Sequence, residues 1–359
     1  AITFVRGGWV HAMGSTLSCA SHNDDDDSKT SIDAKQRDRW KALKGPKLLK
    51  KSEFEVLGSF RETILGQIRR GKHRKTNKKV VIKEFYKSKV LASEGRIKED
   101  AQKEFQIHAM LEDLKKHDDA SRIVQLLGMY IEKDKKCLVL EYCENGDLFD
   151  LIDSVSSSTT VGESEVKKYF RHMIQGVRAM HKAGYAHMDI SLENVIVDAD
   201  GNAKLCDFGC VTSEKIIEEG GIPRGKINYM APEIFSGKRY SPFSADVYSC
   251  GVVLYTMLTR RFPYRVVGDK LYRDIMEHGI ARHLKLHSQH LKGGSTKDHS
   301  SVPPLAVDLL QRMICPEENR CSVEEIMNHP WLTTELPPSY STSGMMAECD
   351  QHQESIMQI

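Results

Sequence analysis

His187-Met188-Asp189-Ile190-Ser191-Leu192-Glu193-Asn194, followed thirteen residues after the asparagine by Asp207-Phe208-Gly209, is the stretch of this chain whose residue types could do chemistry. Two carboxylates and a carboxamide at this spacing can hold a hydroxyl nucleophile and two magnesium ions around one phosphoryl group. Asp189 would accept or orient the proton of the attacking hydroxyl. Asn194 and Asp207 would chelate Mg2+, which takes few carboxylates and fills its shell with water and phosphate oxygens. A lone aspartate is usually a cap or turn residue, but three such groups in register are not.

Other matches stand in order around them. Val80-Val81-Ile82-Lys83 is an apolar strand ending in a lysine, Glu104 lies in an amphipathic segment, and Cys137-Leu138-Val139-Leu140 runs into Glu141-Tyr142-Cys143. Ala231-Pro232-Glu233 and Asp246-Val247-Tyr248-Ser249-Cys250-Gly251 come later. In this order, over residues 53–332, the chain resembles the eukaryotic protein kinases of serine/threonine type, nearest in texture to calmodulin-dependent and polo-like kinases.

The resemblance implies an α+β, bilobal fold: a small β-rich lobe (53–143), a larger α-helical lobe (144–332) and an ATP cleft between them. It implies ATP and Mg2+ as cofactors and transfer of the γ-phosphate to a protein hydroxyl, in signalling. Lys83 would grip the α- and β-phosphates and pair with Glu104, with Glu99 as runner-up; His108, four residues after Glu104, would pack under the cleft. Leu57, Gly58, Leu65, Val81, Glu141, Cys143, Asp147 and Ile196 would surround the nucleotide together with Lys83 and Asp207. Glu233 would pair with Arg320 to brace the substrate platform, and Asp246 would anchor the catalytic loop.

The departures from the pattern are informative. Aligned on Lys83, the nucleotide loop reads Gly58-Ser59-Phe60-Arg61-Glu62-Thr63-Ile64-Leu65 against G-x-G-x-x-G-x-V, so only the first glycine survives. Glycine lets backbone N–H groups approach phosphates closely, and Phe60 and Thr63 would crowd that approach. Val81 replaces the usual alanine over the adenine. These changes predict weakened ATP binding and motivate the alternative of a pseudokinase scaffold with weak or no turnover. Ser191 stands where the family has a catalytic-loop lysine, and Lys226 where it has an activation-segment threonine. The exchange would keep one ammonium and one hydroxyl beside the transferring phosphate, so both join the catalytic set. Met188 replaces an arginine that pairs with a phosphorylated activation loop, which predicts order without loop phosphorylation, although Thr212 and Ser213 are open to modification.

The elements that must position these groups are strands first, then helices. Phe54 to Leu57, Thr63 to Ile68 and Val80 to Ile82 are short β-type runs. Helical spacing follows over Lys98 to Leu114, Gly146 to Ser154 and Glu163 to Ala183, and dominates from Ala231 to Trp331. The polar stretch Lys285 to Ser301 is expected as a loop.

Composition agrees. The chain has 359 residues, 40% hydrophobic and 28% charged, with a net charge of +2, which argues against nucleic acid as a default partner. Nine cysteines without a C-x-x-C pair read as reduced thiols of a cytoplasmic protein. Residues 1–52 are expected as a tail without order and 333–359 as a flexible one. Met13-Gly14-Ser15-Thr16-Leu17-Ser18-Cys19 has the pattern of an N-myristoylation site, with Gly14 acylated if Met13 is the start and Cys19 as a second acyl position. A basic run from Lys35 to Lys51 would help hold the cytoplasmic face of a membrane. Asp147 and Glu193 match positions that receive substrate arginines in basophilic relatives. A small-molecule kinase is disfavoured, because the Ala-Pro-Glu platform serves a polypeptide substrate.

Overall fold

The computed structural model describes residues 47–334 apart from 94–100, 114–117, 155–161, 222, 266 and 291–301. The tail with Gly14 and Cys19, Glu99, and residues 335–359 lie outside the described residues.

The first half is built on one antiparallel sheet. Its strands are β1 (Phe54–Glu62), β2 (Gly66–His73), β3 (Lys79–Tyr86), β4 (Leu126–Ile131) and β5 (Lys135–Glu141), in the order β1-β2-β3-β5-β4. β3 is apolar on both faces because it is central: Val80 and Ile82 pack with Phe54, Tyr130, Cys137 and Val139, while Phe85 joins Leu65, Phe105, Leu138 and Leu140 in a second core. Helix α1 (Lys87–Ser93) leaves β3, and α2 (Ala101–Asp113) carries Glu104, Phe105, Ile107, His108 and Leu111, all buried. Residues 47–49, expected in the tail, belong to the fold. Leu49 N–H donates to the Met129 carbonyl and Met129 N–H to that of Lys47, both within 2.9 Å, adding a short parallel segment beside β4. β4 itself had not been anticipated.

The second half is helical: α3 (Leu148–Ser154), α4 (Glu163–Lys182), α5 (Pro232–Phe235), α6 (Pro242–Thr259), α7 (Lys270–His278), α8 (Ile280–His290), α9 (Pro304–Met313), α10 (Val323–Met327) and α11 (Pro330–Thr333). The apolar residues of α4 recur at helical spacing: Val166, Phe170, Met173, Ile174, Val177 and Met180 are buried. Ser241 caps α6 by accepting from Ser244 N–H, with Pro242 at the first turn where no donor is missed. The stretch Lys285 to His290, expected as loop, is the end of α8. A two-stranded ribbon, β6 (Val195–Val197) with β7 (Ala203–Leu205), carries the catalytic loop on one side and the Asp207 loop on the other.

Candidate active site

Lys83 on β3, Glu104 on α2 and Asp207 after β7 meet in one buried cluster. The Lys83 ammonium donates to Glu104 Oε1 at 2.7 Å, to Glu104 Oε2 at 3.0 Å and to Asp207 Oδ1 at 2.9 Å. Burial opposes the charge on Lys83, but the carboxylates of Asp207 and Glu104 outweigh it and hold the lysine protonated well above its ordinary range. Burial works against the Asp207 carboxylate as well; Lys83 overcomes it and holds Asp207 well below the usual carboxylate range. The Asp207 side chain remains 42% exposed, so one side of it is open to solvent.

The catalytic loop is held from below by Asp246 on α6. Asp246 Oδ2 accepts from His187 N–H at 2.7 Å and lies 2.9 Å from His181 Nε2, and Oδ1 accepts from Met188 N–H at 2.8 Å. Met188 (φ 64°) and Asp207 (φ 65°) both adopt the left-handed backbone region, which costs a non-glycine residue on the order of 1–3 kcal/mol and persists only where neighbours impose it. Asn194 Nδ2 donates to both the carbonyl and Oδ2 of Asp189 at 2.7 Å, which fixes the amide with Oδ1 as its remaining acceptor. Asp207 and Asn194 thus offer hard oxygen donors of the kind Mg2+ takes. Phe208 is fully buried with its ring 4.7 Å from that of His108 and 5.5 Å from that of His187, so His108 does pack beneath the cleft.

Lys226 reaches the same centre from the other side. Its Nζ lies 2.9 Å from Ser191 Oγ and 3.3 Å from Asp189 Oδ2, and its backbone N–H donates to Asp189 Oδ1 at 3.0 Å. Gly225, to which sequence reasoning gave no role, makes this approach possible. It has φ +91°, and a Cβ there would stand 2.4 Å from the Met188 carbonyl oxygen. Thr212, expected to be open to modification, is instead fully buried and pairs through its backbone with Ala186.

The nucleotide-loop reading needs correction. Across the sheet Arg61 stands opposite Ile68, and Ile68 opposite Lys83, so these side chains share the face on which Lys83 points into the cleft. Leu65 does not: it is 2% exposed, inside the core with Phe85 and Phe105. Leu57 and Gly58 lie on β1 well before the β1–β2 turn, Leu57 more than half exposed and Gly58 paired with Arg70. Placing Gly66 at the third glycine of G-x-G-x-x-G-x-V puts Ile68 at the valine position and Arg61 and Thr63 at the other glycines. Gly66 is obligatory for a packing reason, since a Cβ there would lie 1.7 Å from the Glu84 carbonyl oxygen. Nothing local in the sequence marks Gly66, since the carbonyl that requires a glycine there comes from the next strand.

Val81, Cys143 and Ile196 do converge: Cys143 belongs to the core behind the hinge, with Val81, Ile196 and Cys206 packed on it. Burial pushes the Cys143 thiol up to about 12, so it acts as a small apolar wall. The Glu141 carboxylate is engaged elsewhere, accepting from Gln125 N–H and Lys204 Nζ at 2.7 Å each, which leaves only hinge backbone for a ligand. Asp147 begins α3 and accepts from Asp150 N–H at 2.9 Å; burial raises its carboxyl to about 6. Behind the site Glu233 and Arg320 form a two-pronged pair at 2.5 and 3.2 Å.

Two lobes thus meet at a Lys-Glu-Asp cluster, with an Asp-Asn loop beside it. The protein kinase domain family matches residues 62–332, and the chain belongs to that family. It is similar to the carbon catabolite-derepressing protein kinase of Saccharomyces cerevisiae, 30% identical over 288 residues (79% of this chain, 41% of that one). It is also similar to the maternal embryonic leucine zipper kinase of Danio rerio, 31% over 293 residues (79% and 38%), and to CBL-interacting protein kinase 31 of Oryza sativa subsp. japonica, 31% over 244 residues (66% and 51%). The chain spans between about two-fifths and half the length of these relatives.

Proposed function

We propose that the chain is an ATP- and Mg2+-dependent serine/threonine protein kinase acting in signalling. The observation that carries the reading is the assembled pair of clusters, Lys83-Glu104-Asp207 and Asp189-Asn194-Ser191-Lys226. A single motif does not require such an arrangement, whereas phosphoryl transfer, which rests on positioning and charge stabilisation, does.

In this reading Lys83, held straight by Glu104, binds the α- and β-phosphates. Asp207 and Asn194 would hold Mg2+, which supplies charge neutralisation at the phosphate oxygens when bound. Asp189, oriented by the Asn194 amide and the Lys226 N–H, takes the proton of the substrate hydroxyl through its carboxylate. The Lys226 ammonium offsets negative charge beside that oxygen, and Ser191 positions the ammonium. Val81, Cys143, Ile196 and Ile68 wall the base, with Asp147 at the ribose end. Side chains at Arg61 and Thr63 favour the scaffold alternative, but four polar groups aligned on one centre, and relatives named as protein kinases, favour turnover.

Three further readings rest on sequence. A basic substrate would place arginines near Asp147 and Glu193; Gly14 and Cys19 would be acylated if translation starts at Met13; the protein would then work at the cytoplasmic face of a membrane. The deciding experiment is transfer of labelled γ-phosphate to a basic peptide library and to the protein itself, beside Asp207→Asn. Activity that survives unchanged in Asp207→Asn, or a folded wild type without activity, would defeat the kinase reading.

A further inference from the structure

The hairpin that joins β2 to β3 carries a dense positive charge with no acidic residue in it. From Arg69 to Lys79 stand seven lysines and arginines and one histidine, with no aspartate or glutamate. The whole chain is only +2, so everything outside the hairpin is net acidic and the overall figure conceals the patch. Arg70, Arg74, Lys75, Lys78 and Lys79 are exposed. No ion pair joins any of the seven cations to a carboxylate among the described residues. Like charges crowded on one hairpin repel each other, and an anionic partner relieves that repulsion.

The cations are displayed from an ordered turn. His73 N–H donates to the Lys78 carbonyl and Asn77 N–H to the His73 carbonyl, both at 2.8 Å, and Asn77 takes the left-handed conformation (φ 58°) that closes the turn. Thr76 N–H donates to His73 Nδ1 at 3.2 Å, and Arg74 N–H to the Glu53 carbonyl at 2.8 Å. A partner would therefore meet a platform already formed, without first having to order a loop. The turn itself, Arg74 to Lys78, lies away from the chemistry, whereas Lys79 at its edge stands over the hinge Tyr142 ring at 5.4 Å. The β1–β2 turn adjoins the cleft, and the β2–β3 turn is at the far end of strands about eight residues long, roughly 25 Å distant at the usual rise.

We infer that the β2–β3 hairpin is a docking surface for an anionic lipid bilayer. Clusters of four to eight lysines and arginines on a peripheral surface are the charge density that anionic headgroups recognise. The segment from Arg69 to Lys79 has no phenylalanine, tyrosine or tryptophan of its own, and the neighbouring rings of Phe60 and Tyr142 are already covered by Arg70 and Lys79, at 5.1 and 5.4 Å, which disfavours a platform for stacked bases. The hairpin also adjoins the point where the basic run ending at Lys51 enters the fold, since Phe54, the first residue of β1, pairs with His73. No helix among the described residues is long and apolar enough to cross a membrane. The inference is independent of phosphotransfer and of acylation.

The test is cosedimentation of the unacylated full chain with vesicles of phosphatidylcholine alone and with about a third phosphatidylserine, at low and at physiological salt. Wild type is expected to bind only the anionic vesicles, less so as salt rises. Arg74→Gln/Lys75→Gln/Lys78→Gln should weaken partition on the order of a hundred-fold, at roughly five-fold per cation, with unchanged melting and ATP turnover because all three are exposed turn residues. Lys215→Gln/Lys238→Gln/Lys270→Gln, an equal charge change on exposed positions of the helical half, should leave partition nearly unchanged. Equal binding to neutral vesicles, equal loss in both triple variants, or wild-type partition in the hairpin variant overturns the proposal. So does displacement from the vesicles by duplex DNA at comparable charge concentration, which would make nucleic acid the partner.

Discussion

Lys226 Nζ lies 2.9 Å from Ser191 Oγ. In the proposed function this contact is the pair that serine/threonine kinases make with the ammonium on the catalytic loop, here with its two ends exchanged: the ammonium from the activation segment and the hydroxyl from the catalytic loop. A consequence follows for control. With Lys226 backbone and side chain both on Asp189, the charge complement of the site is complete only while the activation segment is docked.

Lys226→Ala should therefore lower kcat by two to three decades, given that a unit charge about 4 Å from another in a partly screened site is worth roughly 4 kcal/mol before discounting for the partial exposure of this lysine. Exchanging the residues, Ser191→Lys with Lys226→Thr, should recover most of the loss. Steady-state kinetics on the three proteins decides it: a double variant no better than Lys226→Ala would show that the lysine does not act through this pair.

The Lys83 cluster makes a prediction that separates stability from chemistry. Lys83→Met should abolish turnover under the proposed function, and it leaves Glu104, 2% exposed, as a buried charge without its lysine, which costs about 3–5 kcal/mol. Glu104→Gln should cost less, since Asp207 still faces Lys83. Adding Glu104→Met to Lys83→Met should restore part of the stability in urea titrations but none of the turnover. Equal stability of wild type and Lys83→Met would contradict the buried-pair account.

At Gly225 an alanine must bear a left-handed backbone and a Cβ 2.4 Å from the Met188 carbonyl oxygen, a strain of about 1–3 kcal/mol. The cheapest relief is to lift the segment off the catalytic loop, withdrawing Lys226. Gly225→Ala is expected to lose at least about ten-fold in kcat, one decade being 1.36 kcal/mol, with only a modest fall in melting temperature. Gly220→Ala serves as the comparison: it too has a positive φ, +74°, but its Cβ would meet nothing within 4 Å, and its activity should match wild type.

Much of this was legible in the sequence, because the catalytic groups sit on short loops whose spacing survives in one dimension. Glu104 over Glu99, Glu233 with Arg320 and Asp246 under the loop came instead from the resemblance to protein kinases, which carries helix positions as well as loop ones. The nucleotide loop was not legible for a physical reason. β1 carries two register shifts, between Val56 and Gly58 and between Ser59 and Arg61, and Gly66 is a glycine because of the Glu84 carbonyl on the next strand. Neither fact leaves a local mark, so Gly58 looked like the surviving glycine. The Glu141 side chain was misleading in the same way, since the Lys204 that holds it is 63 residues away.

Acid should destabilise the helical half through His172. Burial first, then the nearby charges of Arg122, Lys168 and Arg171, push this imidazole down to about 4 from its ordinary 6.5, and its Nδ1 accepts from Ala203 N–H at 3.2 Å, which requires the neutral ring. The unfolded chain therefore binds a proton in the window between about 6.5 and 4 that the folded chain refuses. Stability contributed by the neutral ring is fully present above pH 6.5 and is lost as pH falls through that window. Carboxylates such as Asp198, held below its usual range by hydrogen bonds from Asn202 and Lys204 against the cost of burial, lose their contribution only at lower pH. Thermal melts from pH 7.5 to 4.5 should show a steep fall in wild type and a shallower one in His172→Gln, whose amide oxygen can take the Ala203 N–H without titrating. Parallel pH curves for the two proteins would remove His172 as the source of acid sensitivity.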